Sequence, residues 1–224
     1  MTLKFALPAL ILLTSALYMF IIPAEPHAVK LLFKLIPMWL MISYAYLNSP
    51  DNSNRFHWFT QIGLIFCMLG DGLLGWFVIG LSAFLIGHLF YMSGFLGQWR
   101  FSKLRAATLI PIAAYAVFMS TQLVQSLIQD NKQELIIPVL LYITVIGLMT
   151  WSAIMTGRLW ATVGAVLFMI SDSFLSWNLF VSEIQYAGTL IMTTYYTAQF
   201  CIARNLRPLP VETNESIESP TVAG

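Results

Sequence analysis

Eight apolar stretches follow one another along the chain with little between them, at 5–22, 29–47, 57–74, 77–97, 106–128, 135–156, 159–178 and 184–203. Most come near the ~20 residues a helix needs to cross the hydrocarbon core of a bilayer. Water is absent there, so the backbone must satisfy its own hydrogen bonds, and each stretch is expected to be a helix. Composition agrees: 9% of residues are charged and the mean hydropathy is +0.77, against roughly 25% charged in a soluble domain. The expected fold is an all-α integral membrane protein with eight transmembrane helices. It forms one domain over 1–207, followed by a polar, proline-bearing tail at 208–224 that is expected to be disordered. The first stretch is longer than the 7–15 apolar residues of a signal peptide, and no small-x-small site follows it, so it is expected to stay as a helix.

Basic residues set the expected orientation. With the N-terminus inside, Lys4, Arg55, Arg100, Lys103, Arg105, Arg158, Arg204 and Arg207 fall at inner ends, and Lys30, Lys34 and Lys132 at outer ends. That eight-to-three split predicts both termini, and the tail, on the cytoplasmic side. A multi-pass protein of this bias is expected in a cell membrane, the bacterial inner membrane. The net charge of +1 supplies no basic field for nucleic acid. Cys67 and Cys201 lie inside apolar runs and read as small core residues.

Within these spans two carboxylates stand out. The segment "GLIFCMLGDGLLGW" (63–76) carries Asp71, and "GAVLFMISDSFLSW" (164–177) carries Asp172. Sliding the chain by 101 residues pairs Gly63 with Gly164, Met68 with Met169, Asp71 with Asp172, Leu74 with Leu175 and Trp76 with Trp177. The same offset pairs Pro37 with Pro138 and Gly87 with Gly188. An internal repeat over about 30–95 and 131–196 is expected, giving two four-helix halves. An even number of spans per half makes them parallel, related by an axis along the membrane normal. Asp71 and Asp172 then share a depth, roughly 24 Å above Arg55 and 21 Å above Arg158 at 1.5 Å per residue. Flanking glycines and serines suit close helix approach.

Ionisable groups at such depth usually face an interior cavity and mark function. Other polar groups collect nearby in the same reckoning. Lys34 is either a snorkelling side chain or a partner for one carboxylate. His88 lies on the hairpin partner of the Asp71 helix, with Tyr91 one turn away on the same face. Tyr195, Tyr196 and Gln199 in "TTYYTAQF" are too far from Arg204 for an interfacial belt to be the whole account, and a cavity wall is the other reading. Three histidines on separate segments and no Cys/His cluster give no metal site, and no nucleotide or cofactor motif is present, so no cofactor is expected.

The segments "FKLIPM", "LGDGLLGW", "FLIGHLFY", "ISDSFLSW" and "YYTAQFCI", in that order and spacing, resemble the YhhN-like lysoplasmalogenase family of multi-spanning membrane proteins. The family is usually written with a Lys-Pro pair in its second span, whereas Leu35 and Ile36 separate Lys34 from Pro37 here. The resemblance implies a lysolipid substrate and hydrolysis of the vinyl-ether bond of a lysoplasmalogen. Its products are a fatty aldehyde and glycerophosphoethanolamine or glycerophosphocholine. A pair of carboxyls fits that chemistry: one donates a proton to carbon, the other, ionised, stabilises the resulting oxocarbenium ion and helps activate water. The residues alone leave which aspartate does which open. They also leave open a small-molecule or lipid transporter with a polar intramembrane site, and a receptor or scaffold whose aspartates join helices.

Overall fold

The computed structural model describes residues 3–23, 25–49 and 54–206; Arg207 and the tail expected at 208–224 lie outside the described residues. Nine α-helices form among them: α1 (Leu3–Phe20), α2 (His27–Leu47), α3 (Arg55–Leu73), α4 (Phe77–Leu96), α5 (Lys103–Ala107), α6 (Leu109–Gln129), α7 (Ile136–Met155), α8 (Leu159–Phe180) and α9 (Ala187–Arg204). One 3-10 turn, Gln133–Leu135, leads into α7. Each expected stretch corresponds to one helix except the fifth, which divides at Thr108 into α5 and α6. Pro111 accounts for the division. It cannot donate to the Ala107 carbonyl, and its ring crowds that group. The neighbouring Ala106 carbonyl accepts the indole N–H of Trp151 at 3.3 Å.

Local signals fix the helix ends around the aspartates. Asn54 caps α3, its side-chain oxygen accepting from the backbone N–H groups of Phe56 (3.1 Å) and His57 (3.4 Å). The α3–α4 connection is only Leu74–Trp76, closed by the Trp76 N–H donating to the Leu73 carbonyl at 2.9 Å. So tight a hairpin forces two helices together, and glycine makes the room. A Cβ on Gly70 would sit 2.6 Å from the Phe84 ring, and one on Gly87 would sit 2.9 Å from Cys67 Sγ. Cys67 and Cys201 are buried and free.

Among the described residues, five helical segments are long and apolar enough to cross a membrane by length and composition: His27–Leu47, Phe77–Leu96, Lys103–Gln129, Gln133–Met155 and Leu159–Phe180. The helix at the N-terminal end contributes a shorter apolar stretch, Ala6–Phe20. α3 and α9 fall outside that set, and their composition says why. α3 carries Gln61 and Asp71, and α9 carries Thr193, Thr194, Tyr195, Tyr196 and Gln199. Their polar residues include the buried Asp71, Tyr195, Tyr196 and Gln199. The protein is thus an all-helical, multi-pass membrane protein whose most polar helices supply buried polar side chains.

The neighbour relations are simple. α1 packs on α2, α2 on α3 and α3 on α4; α6 packs on α7, α7 on α8 and α8 on α9. The two groups meet where α4 lies against α7 and α2 lies against α9, and α3 also touches α9. Tyr44, Tyr91, Phe95 and Phe168 are among the largest fully buried side chains at the centre. A second, smaller core of Met119, Leu123, Leu127 and Val139 lies under α6.

Candidate active site

Asp71 lies near the C-terminal end of α3, 5% exposed. An isolated carboxylate there would be very costly, since its hydration is lost. It is not isolated. Lys34 of α2 brings Nζ to 3.0 Å from Oδ1, and Tyr195 of α9 donates its hydroxyl to Oδ2 at 2.6 Å. Lys34 also points toward the Asp71 carbonyl at 3.5 Å, and Tyr196 donates to the Lys34 carbonyl at 2.7 Å. Of the two sequence readings of Lys34, this is the carboxylate partner: its side chain is 14% exposed and turned inward. Three elements, α2, α3 and α9, thus converge on one carboxylate.

Asp172 lies on α8 in unlike surroundings. Tyr142 of α7 donates its hydroxyl to Oδ2, and no cation pairs with Asp172 among the described residues. One residue on, Ser173 accepts from Tyr115 of α6 and donates to the Met169 carbonyl at 2.5 Å.

His88, Tyr91 and Gln199 form a packed layer deeper along the same helices. Tyr91 donates to Gln199 Oε1 at 2.7 Å, joining α4 to α9. His88 and Gln199 are 0% exposed. The His88 ring packs edge-on to Phe168 (4.5 Å between centroids) and Tyr142 (5.4 Å). Its nitrogens meet no hydrogen-bonding side chain; the polar group beside them is the Phe84 carbonyl of its own helix. The Gln199 side chain lies beside Cys67 and Tyr195. These residues support the aspartates' tyrosines from below and do not line either of two clefts that reach the aspartates among the described residues.

The first of those clefts is an open mouth of about 550 Å³ where α2 begins and α3 ends; it exposes Asp71, Lys34, Lys30, His27 and Tyr18. The second is a narrow apolar chamber of about 60 Å³, with Asp172, Tyr142, Tyr115, Ser173 and Ser176 as polar points in a lining mainly of Leu, Ile, Phe and Met. Leu74, Phe77, Leu175 and Leu179 border both spaces, so a molecule can lie across that apolar rim with one end at each aspartate. α4 and α6 both line the chamber without packing against each other among the described residues. No three His, Cys, Asp or Glu side chains among the described residues converge to hold a metal ion.

Tyr142 and Tyr18 were not singled out by sequence. A tyrosine in an apolar helix reads as packing or belt, and nothing in "LLYITV" signals a carboxylate across the gap. The 101-residue offset sets Tyr142 against Met41 and Lys34 against Leu135, so the repeat carries no hint of either partner.

The YhhN family model matches residues 29–206. Lysoplasmalogenase TMEM86B of Mus musculus is 30% identical over 197 residues, covering 86% of this chain and 82% of that protein. Lysoplasmalogenase TMEM86A of Homo sapiens is 29% identical over 225 residues, with 87% and 83% covered. A lysoplasmalogenase of Mycobacterium tuberculosis is 30% identical over 173 residues, with 74% and 66% covered. No solved structure matches the chain.

Proposed function

The chain belongs to the YhhN family, and we propose that it is a membrane-embedded hydrolase that cleaves the vinyl-ether bond of lysoplasmalogens, releasing a fatty aldehyde and a glycerophospho-headgroup such as glycerophosphoethanolamine or glycerophosphocholine. One observation carries the mechanism: two carboxyls, one buried and one half-buried, open to clefts that share an apolar rim and have unlike partners. Asp71 faces the Lys34 ammonium and accepts from Tyr195, and it opens to the mouth. Asp172 has one neutral partner, Tyr142, and opens to an apolar chamber. An ammonium at 3.0 Å favours a carboxylate; an apolar chamber favours a neutral carboxyl.

The division suits the substrate. With the start of the chain at the chamber and the headgroup in the mouth, the carbon that accepts the proton is the one on the chain side. Asp172 donates its proton to that carbon, and the adjacent carbon and ether oxygen become an oxocarbenium ion. Asp71 faces that cation and takes a proton from water as its oxygen bonds to the cationic carbon. The neutral hemiacetal then collapses. Its hydroxyl proton passes to Asp172, its C–O bond to glycerol breaks, and Asp71 returns its proton to the departing glycerol oxygen. One water is consumed, and both carboxyls end as they began. The logic is that of paired carboxyls in glycoside hydrolysis, with protonation at carbon instead of oxygen.

The proposal includes eight spans with both termini cytoplasmic, following the eight-to-three basic split, in the inner membrane of a bacterial cell. It also includes a duplicated ancestry of two parallel four-helix halves. That reading is supported by reciprocal packing: in each half the first helix packs on the second, the second on the third and the third on the fourth, and the halves join by α4 on α7 and α9 on α2. Purified protein in detergent, given a panel of 1-alkenyl, 1-alkyl and 1-acyl lysolipids, tests the activity. Aldehyde from the alkenyl lipids alone is expected. No turnover of any lipid, with transport in sealed vesicles instead, would overturn it.

A further inference from the structure

The mouth holds a lysine that the reaction does not use. Along the first two turns of α2, His27, Lys30 and Lys34 line it, and among the described residues the one acidic side chain lining it is Asp71. Lys34 is already matched by Asp71 at 3.0 Å, and the His27 ring lies 2.9 Å from Glu25. Lys30 makes no ion pair among the described residues. It is four residues before Lys34, so the two ammonium-bearing side chains lie on one face of the helix, one turn and roughly 6 Å apart along its axis. Lys30 and Lys34 are both partly buried and Asp71 is buried at 5% exposure. An unmatched cation lining the mouth that leads to such a site calls for an anion from the ligand.

We infer that Lys30 forms the phosphate subsite of the substrate's headgroup, with Lys34 between that phosphate and Asp71. The assignment rests on the hydrolase reading. It deepens that reading by naming the residue that holds the phosphate while the vinyl ether is set against the aspartates. The three-carbon glycerol unit between phosphate and vinyl ether is comparable with the one-turn step from Lys30 to Lys34. An ammonium on a flexible stem holds phosphate as a point charge, so arginine would preserve the contact and glutamine would remove it.

The test compares two substrates sharing one alkenyl chain: 1-alkenyl-glycero-3-phosphoethanolamine and 1-alkenyl-glycerol, which lacks the phosphate. Wild-type protein is expected to prefer the phosphorylated lipid in kcat/KM. Lys30→Gln should reduce the ratio of the two kcat/KM values about tenfold, through KM, the equivalent of one charge-assisted contact. Lys30→Arg should restore it. Free inorganic phosphate and glycerophosphoethanolamine serve as competitors. Inhibition by the second and not the first at equal concentration identifies the subsite as one for a headgroup; equal inhibition by both would overturn that part. A ratio unchanged in Lys30→Gln, or reduced equally in Lys30→Arg, would overturn the subsite and leave the hydrolase standing. Binding of the uncleavable 1-alkyl-glycero-3-phosphoethanolamine gives a readout independent of turnover. About tenfold weaker binding by Lys30→Gln is expected, and unchanged binding would refute the assignment even if no lipid were hydrolysed.

Discussion

The Lys34–Asp71 pair can be tested against a number. At 3.0 Å and an effective dielectric near 20, two unit charges attract by about 5 kcal/mol. Desolvation of both groups offsets much of that, so the intact pair contributes little net stability, while breaking it by removing one partner typically costs about 3–5 kcal/mol. Lys34→Met keeps the aliphatic stem and removes the charge, leaving Asp71 with Tyr195 alone. Asp71→Asn keeps the hydroxyl contact of Tyr195 and leaves Lys34 unpaired; because Lys34 retains some contact with the mouth, the loss there should be smaller. The double variant removes both charges and should recover most of the loss, giving a coupling energy of about 3 kcal/mol in the cycle. Equilibrium unfolding in mixed micelles, followed by tryptophan fluorescence, measures all four proteins. The Lys34→Met deficit should shrink as pH falls, because protonating Asp71 removes the unpaired charge. Additive single losses below about 0.5 kcal/mol each would mean that the pair behaves as a hydrated surface contact, and the buried site described above would be wrong.

Asp172→Asn and Asp71→Asn should each lower kcat by about 10²–10⁴, the usual contribution of a positioned acid or base, and the double variant should lose little more, because the two carboxyls act as one unit; steady-state aldehyde release checks this, and near-wild-type rates in both would exclude an acid–base role. Ala116 lines the chamber, so Ala116→Trp should fill it and shift the preferred alkenyl chain toward shorter lengths, read as kcat/KM across a chain series; an unchanged profile would remove the chamber from the chain's path. A reporter fused after Arg207 should read cytoplasmic, and a signal from the far side would reverse the orientation.

The helices were legible because apolar runs of this length have few alternatives in a bilayer. The aspartates were legible because a carboxylate in such a run needs a reason to be there. Lys34 was half legible: four carbons of stem allow a lysine to snorkel or to turn inward, and only the position of Asp71 on a neighbouring helix decides between them. The break at Thr108 was written in Pro111, yet an apolar run conceals it, since hydropathy does not register a missing N–H. Tyr142 was hidden for a different reason. Its hydroxyl is one atom on a ring that fits any apolar surface, and its role exists only once α7 is set beside α8.

α4 and α6 line the chamber without packing closely against each other among the described residues, and on the proposed reading this alters the units in which the enzyme's efficiency is expressed. A chain that slips between those helices passes from one hydrocarbon medium to another. It avoids the roughly 0.8 kcal/mol per methylene that a route through water would demand. The substrate supply is then a mole fraction in the leaflet. Diluting the substrate lipid with inert lipid would slow the reaction even at constant bulk concentration, and adding water around the same vesicles would not.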